Sequence, residues 1–186
     1  MQRFDLHLSE IAGWRALLTE AQLVAAEYLP EAVEEYLVCL LYRAVGQPGD
    51  PDTYSLNFLE SFLKQGPDTY RDPCMVGDQC LLFAGLFPEH AIGKGIPITF
   101  FVQVGQNAYG EYGARAEDPV YRELSAKFVT VMDVLHTLRE LSNGSPCIDG
   151  MNAYQLWHDT GSQHAWQVLR RLTPALPARD ANTVRH

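Results

Sequence analysis

The sequence lacks the short motifs that identify the commonest nucleotide-binding, metal-binding and hydrolytic sites. Its 186 residues contain no GxGxxG, GxxxxGKS, GxxxxGKT, HExxH or GxSxG pattern, and none of the four cysteines lies at CxxC spacing from another. Each absence removes the mechanism that depends on that motif, such as phosphate binding by a glycine-rich loop. No cofactor is therefore expected from the sequence.

Positive charge is scarce in this chain. Lysine and arginine total 14 against 23 acidic residues, which gives a formal net charge of −9 at pH 7. Affinity for phosphate groups comes from clustered cations. The balance of charge therefore argues against a nucleic acid or an anionic membrane surface as the partner.

Long apolar runs are also missing. Runs such as 37–42 and 80–83 are much shorter than the roughly 20 residues that a membrane-spanning helix needs. The first residues are acidic and polar where a secretory signal needs an apolar stretch. The sequence predicts no membrane span and a cytoplasmic protein, in which the cysteines stay reduced.

Two of the cysteines are candidates for chemistry. Cys74 and Cys80 could join His90 in a metal or redox site, since thiolates are soft ligands and nucleophiles. Cys74 lies near a predicted helix start, which favours a thiolate, and a Cys–His hydrolase pairing it with His90 or His136 fits the composition. Against this, the spacing matches no standard metal motif, and a cysteine in an apolar helix is more often an inert core residue.

Apolar residues recur with a helical period along most of the chain. The helix boundaries are marked by three local signals, which are proline before an acidic first turn, glycine after a last turn, and Ser or Asp at a cap position. The predicted helices are 9–29 with Ser9 as N-cap, 30–45, 53–65, 75–87 after Asp72-Pro73, a short turn at 89–90, 97–113, 118–143, 151–158 with Asp149 as N-cap, and 165–172. The sequence thus predicts an all-α, single-domain bundle of about eight helices in residues 1–173, with a frayed tail in residues 174–186.

Three segments determine the predicted architecture. Segment 75–87 is apolar almost all round, which predicts a buried central helix. Segment 97–113 has strand propensity as well as helical spacing, and we interpret it as a helix because its apolar stripe continues for four turns. Segment 118–143 carries apolar residues at steps of three and four, which predicts one continuous helix that ends at Asn143-Gly144.

Asp133 and His136 are candidate metal ligands. Their i, i+3 spacing on one helix could direct a carboxylate and an imidazole at the same ion. No second motif of this kind accompanies them in the sequence. The alternative interpretation is a solvated helix face with a partly covered His136.

The densest polar cluster lies near the end of the predicted bundle. His158 and His164 bracket residues 159–162 and lie beside Trp157 and Trp166. Such a cluster could form a small-ligand or peptide site. The alternative is that residues 159–162 form a turn with its caps, while the tryptophans close the core.

Asp78 is conspicuous because it lies in the most apolar segment of the chain. A buried carboxylate needs a cation, a backbone donor or water, so Asp78 is either a capping or buried polar residue or a ligand-facing acid. If it faces a ligand, we expect an interhelical pocket in which the side chains of Asp78, Glu89, His90 and Tyr109 converge. In one version of this hypothesis His136 also joins the pocket.

Three motifs around Asp78 follow a particular order. The first is GD at Gly77-Asp78, the second is GLFPE at residues 85–89, and the third is GxxAY, formed by Gly105 with Ala108-Tyr109. In this order the chain resembles a family of uncharacterised helical bacterial proteins, over most of residues 30–140. Where members of that family usually carry two tyrosines, this chain has Phe100-Phe101. The resemblance implies a bacterial, helical, single-domain protein and no particular reaction.

The missing catalytic motifs and the tyrosine-rich helices together predict a protein that binds a protein partner or a second copy of itself. The predicted interface is an aromatic surface made of Phe100, Tyr109, Tyr112 and Tyr121, since exposed aromatic residues are typical of interfaces. Two alternatives remain open. One is a small-ligand-binding protein or enzyme with the interhelical pocket, and the other is transition-metal binding through Asp133 and His136 or through the C-terminal histidines.

Overall fold

The computed structural model describes residues 2–45, 72–144 and 146–173, and these residues form helices without any strand among them. The predicted helix 53–65 and the predicted tail 174–186 lie outside the described residues. In chain order the helices are α1 (Gln2–Ala25), α2 (Glu31–Val45), α3 (Pro73–Gly85), α4 (Pro88–Gly93), α5 (Ile98–Arg115), α6 (Pro119–Ala126), α7 (Phe128–Asn143), α8 (Gly150–Thr160) and α9 (Gln163–Leu172). The predicted all-α, single-domain bundle is confirmed, and so is the helical interpretation of segment 97–113.

Aspartate caps begin three of these helices. Asp72 and Asp118 each precede a proline, and each carboxylate accepts the backbone N–H of the residue two positions ahead. Asp149 accepts the backbone N–H groups of Met151 and Asn152 at the start of α8. These caps satisfy amides that have no partner within the helix, which confirms the helix starts predicted from Asp72 and Asp149.

The predicted limits of α1 are wrong at both ends. Ser9 lies inside the helix rather than at its N-cap, because residues 2–8 are themselves helical. The helix ends at Ala25 instead of Leu29, because Ala26 adopts a left-handed conformation with φ +54°. The backbone N–H of Leu29 then donates to Gln22 Oε1 at 2.8 Å, outside any helical ladder.

The predicted continuous helix over 118–143 is in fact two helices, α6 and α7. Lys127 separates them with φ −104° and ψ 17°, although its N–H still donates to the Glu123 carbonyl at 2.8 Å. Leu124 and Phe128 remain fully buried on either side of this residue. A turn of one residue leaves the spacing of the apolar side chains intact, so the periodicity could not reveal the break.

The central position of α3 is confirmed, because nine of its 13 residues are buried. It packs against α5 and α7, and glycines allow the close approach. A Cβ atom added at Gly85 would lie 2.8 Å from the Leu135 Cβ atom, and one added at Gly105 would lie 2.9 Å from Cys80 Cβ. The helices therefore touch through positions that only glycine can occupy.

Within the described residues, none of the helices combines the length and the apolar character that crossing a membrane requires.

The close contact at Gly105 makes a prediction about stability. We expect Gly105→Ala to lower the free energy of unfolding by about 1–3 kcal/mol, because the added methyl group overpacks the Cys80 and Phe128 side chains. Gly93→Ala is the matched control, since a Cβ atom there meets nothing within 4 Å. Urea denaturation measures both variants, and equal effects of the two substitutions would contradict the packing argument.

Candidate functional site

The carboxylate of Asp78 is the centre of a buried hydrogen-bonded cluster that joins α2, α3 and α5. Asp78 is 8% exposed, and its Oδ1 atom accepts hydrogen bonds from the hydroxyl of Tyr109 at 2.8 Å and from the hydroxyl of Tyr36. Its Oδ2 atom lies 3.3 Å from Arg43 Nη2. Because Asp72 caps α3, Asp78 is a buried polar residue with side-chain partners and not a helix cap.

Burial raises the pKa of Asp78, and hydrogen bonds from the two tyrosines together with the charge of Arg43 oppose this rise. Burial likewise raises the pKa of Tyr36 and of Tyr109 well above the usual tyrosine range, with a further contribution from the nearby carboxylate. Both hydroxyls therefore stay protonated near neutral pH and act as donors to Asp78.

Tyrosine rings surround this carboxylate. The ring of Tyr121 lies 5.3 Å from that of Tyr36 and 6.0 Å from that of Tyr109, measured between centroids, and 4.4 Å from that of Tyr112. Tyr109 is completely buried, so it cannot belong to the exposed aromatic surface that the sequence predicted. Tyr112 and Tyr121 are half-buried and pack on each other. Phe100 lies outside this cluster, with its ring on Phe101 and 37% of its surface exposed.

Cys74 borders the same cluster. Its Sγ atom lies 3.4 Å from the hydroxyls of both Tyr36 and Tyr121. Burial raises the pKa of the Cys74 thiol although these hydroxyls oppose it, which is the reverse of the thiolate character predicted for a helix start. Cys80 lies buried in α3, where burial raises its pKa to about 12, so it is the inert core thiol of the alternative interpretation.

Two clefts open beside Arg43, and Asp78 lines one of them. One lies between α2 and α3, has a volume of about 250 Å³ and is lined by Leu40, Arg43, Met75, Asp78, Gln79 and Leu82 among others. The other is a shallower groove of about 540 Å³ between α2 and α6, lined in part by Tyr36, Cys39, Arg43, Val120 and Tyr121. Arg43, with 58% of its side chain exposed, borders both.

Glu89 and His90 form a separate group from Asp78 and Tyr109. Both lie on α4, where Glu89 Oε1 accepts a hydrogen bond of 2.5 Å from Arg139 Nη2 and lies 3.8 Å from His90 Nδ1. The chain reaches α4 only after the seven residues of α3 that follow Asp78, about 10 Å of helix. The expected convergence of Asp78, Glu89, His90 and Tyr109 in one pocket is therefore not observed, and His90 does not join Cys74 and Cys80.

Asp133 is a buried helix cap and not a metal ligand shared with His136. Its carboxylate accepts hydrogen bonds from Ser162 Oγ at 2.6 Å and from the backbone N–H groups of Gln163 at 2.7 Å and His164 at 3.3 Å. Asp133 of α7 thus caps α9 from another helix. Burial raises its pKa, and these donors oppose the rise.

His136 is hydrogen-bonded to another element, although its ring centroid lies 4.9 Å from that of His164, whose backbone N–H donates to Asp133. Its Nε2 atom lies 2.7 Å from the carbonyl oxygen of Ala84, and burial lowers its pKa to about 3, so the imidazole is neutral. Both Asp133 and His136 are buried, so the alternative of a solvated helix face is wrong as well. Period-based reasoning failed here because α7 is covered on more sides than its apolar stripe indicates.

The cluster around residues 158–164 is the turn that joins α8 to α9. Gly161 ends α8 in a left-handed conformation, and Ser162 Oγ accepts the backbone N–H of Ala165 at 3.0 Å to begin α9. The rings of Trp157 and Trp166 stack with centroids 4.7 Å apart. The interpretation of these residues as a turn with its caps is confirmed.

Tyr36 and Arg43 are the site residues that sequence reasoning missed. Tyr36 fits the apolar stripe of α2, and Arg43 carries no local signal because its partner lies 35 positions away. Their spacing of seven residues on one helix, two turns, is the only feature that could have placed both beside the same carboxylate.

No protein-family model, curated protein or solved structure matches this chain. The resemblance to the helical bacterial family therefore stays a prediction.

The raised pKa of Asp78 predicts how stability depends on pH. Its contribution is complete below the ordinary value of 3.8 and is lost as pH rises through the higher folded-state pKa. We therefore expect the unfolding free energy of wild type minus that of Asp78→Asn to fall as pH increases, measured by urea denaturation from about pH 3 to pH 7.

Asp149→Asn provides a control of opposite sign. Hydrogen bonds from Asn152 lower the pKa of Asp149, so its contribution is present at neutral pH and lost on acidification. The corresponding difference for Asp149→Asn should therefore rise with pH. A difference for Asp78→Asn that rises in the same way would contradict the assignment.

The buried cap predicts a larger loss of stability than an exposed cap. Asp133→Ala leaves the Ser162 hydroxyl and two backbone N–H groups without their acceptor, which we expect to cost about 3 kcal/mol or more. Asp149→Ala removes an exposed N-cap of α8 and should cost only about 1 kcal/mol. Equal losses in chemical denaturation would show that burial of the Asp133 cap contributes nothing extra.

Proposed function

We propose that this protein binds a small organic anion, such as a carboxylate with an apolar body, in the cleft between α2 and α3. The observation that carries the proposal is the position of Arg43, whose half-exposed guanidinium borders that cleft and the adjoining groove while Asp78 holds one of its nitrogens. A guanidinium has five N–H donors in a planar fork, and Asp78 engages one nitrogen. Within the described part of the chain, the remaining donors are available to a ligand carboxylate.

Preorganisation supports this function. Asp78 is held by hydroxyl hydrogen bonds from Tyr36 and Tyr109, so the group that orients Arg43 is itself immobile. A cation already held in its binding geometry loses less entropy when the ligand arrives.

The lining of the cleft indicates the rest of the ligand. Leu40, Met75 and Leu82 contribute apolar surface next to Arg43, and Gln79 adds an amide. A volume of about 250 Å³ suits a compact metabolite and is too small for a dinucleotide. A predicted cytoplasmic location belongs to the same proposal, because four unpaired thiols suit a reducing compartment.

Arg43→Gln tests the proposed anion site. A panel of small carboxylates and organic phosphates, with amines of the same skeleton as negative controls, is screened by thermal shift and ligand-observed NMR. We expect acids to bind and Arg43→Gln to lower their affinity about tenfold or more, because charge-assisted hydrogen bonds contribute about 1.5–3 kcal/mol.

Arg115→Gln is the matched control for this test. Arg115 is an exposed arginine at the end of α5 that pairs with Glu111, away from the cleft. The Arg115→Gln variant should bind every acid with the affinity of the wild-type protein. Binding of amines equal to that of acids, or unchanged affinity in Arg43→Gln, would exclude the proposed site.

Self-association is the second candidate function. At the end of α1 and just after it, Leu23 is 63% exposed, Val24 is 56% exposed and Tyr28 is 74% exposed, and exposed apolar side chains are typical of interfaces. Phe100, Tyr112 and Tyr121 remain further interface candidates. Native mass spectrometry separates the two functions, since a dimer supports self-association and a monomer carrying an added small mass supports ligand binding.

A further inference from the structure

Three potential metal ligands meet far from Asp78, where the end of α7, the α7–α8 loop and α9 come together. They are Glu140 of α7, Cys147 of the loop and His164 of α9. One ligand atom from each lies within 4.8 Å of the other two. No other group of three such residues occurs in the part of the chain that the structure describes.

Three polar atoms of this group are buried without a hydrogen-bond partner among the described residues. His164 is 5% exposed, and neither of its ring nitrogens has a hydrogen-bond partner in the part of the chain that the structure describes. Glu140 Oε1 lies 3.0 Å from His164 Nε2, but the two atoms are not aligned for a hydrogen bond, so this oxygen also lacks one. Buried polar atoms left in this state are costly and rare, which points to a further partner.

We propose that Glu140, Cys147 and His164 bind a divalent transition-metal ion of the zinc class. In a tetrahedral zinc site with bonds of about 2.0–2.3 Å, ligand atoms lie about 3.3–3.7 Å apart. The observed separations reach 4.8 Å. Shifts of about 1 Å in the side chain of Glu140 and in the loop that carries Cys147 would reduce them to this spacing.

The donor set also selects the metal. A thiolate and an imidazole with one carboxylate favour zinc or cobalt over magnesium and calcium, which prefer oxygen ligands. On binding, the metal–sulfur bond replaces the S–H bond of Cys147, and the proton leaves to solvent. Three protein ligands leave a fourth position for water.

Cys147 distinguishes this site from an ordinary ion pair. Glu140 and His164 alone could form a buried pair, with Arg171 Nη1 3.8 Å from the second carboxylate oxygen of Glu140. Such a pair gives the Cys147 thiol no role. A metal site requires the sulfur as a ligand, so the test reads the sulfur directly.

A cobalt titration provides that test. Untagged wild-type protein is treated with a chelator, dialysed and titrated with Co²⁺ and then with Zn²⁺, both as the free ions. We expect a thiolate-to-cobalt charge-transfer band in the near ultraviolet that Zn²⁺ abolishes by competition. Cys147→Ser should remove the band and weaken Zn²⁺ binding about 100-fold or more, since even substitutions behind the ligands cost 10–100-fold.

Cys39→Ser is the matched control, because Cys39 is an exposed cysteine of α2 outside the group. It should keep both the band and the Zn²⁺ affinity of wild type. The proposal is wrong if wild type gives no thiolate band at saturating Co²⁺, or if Cys147→Ser keeps the band.

A second measurement covers the case in which Cys147→Ser does not fold. Wild-type protein is alkylated with and without Zn²⁺, and each cysteine is quantified by peptide mass spectrometry. We expect Zn²⁺ to slow alkylation of Cys147 at least tenfold while Cys39 reacts at an unchanged rate. Equal alkylation of Cys147 with and without the metal would overturn the proposal. Both readouts are independent of Arg43 and of the proposed anion site.

Discussion

The burial of α3 is the constraint on which the rest of the structure depends. A helix that is covered on nearly every face cannot leave the carboxylate of Asp78 without partners, since an isolated buried charge is prohibitively costly. The neighbours supply those partners, with Tyr36 and Arg43 from α2 and Tyr109 from α5. The position of α2 and α5 against α3 is therefore specified by polar contacts as well as by apolar packing.

The same principle operates a second time between α7 and α9. Asp133 is buried on α7, and its carboxylate is satisfied by the first amides of α9 and by Ser162. This cap determines where α9 begins, and it thereby brings His164 beside Glu140, which lies two turns further along α7 than Asp133. Two buried carboxylates thus place the side chains of both proposed sites.

Much of the fold followed from the sequence because helices leave local signals. Apolar residues at steps of three and four predicted the helical segments, and the Asp-Pro pair at 72–73 marked where α3 begins. The failures have local causes too. The left-handed conformation of Ala26 and the single turn residue Lys127 do not alter the apolar spacing, so the end of α1 and the break between α6 and α7 were missed.

The candidate site was less predictable. Asp78 and Tyr109 were identified by their chemistry, and they do lie together, but Glu89 and His90 were grouped with them and lie elsewhere. Asp133 and His136 share a helix and still face different partners, because one is satisfied by α9 and the other by the carbonyl of Ala84 in α3. Spacing along one helix says which residues are neighbours and not which element covers them.

The sequence by itself determined the helical class, the buried central segment and the acid within it, because periodicity, capping and the cost of a buried charge are properties of short stretches of chain. Only the tertiary structure decided which groups form hydrogen bonds and an ion pair with that acid, and which residues lie together at the junction of α7 and α9. Those contacts join positions as far apart as 42 residues, as between Tyr36 and Asp78. They arise from the packing of whole helices, which no local pattern encodes.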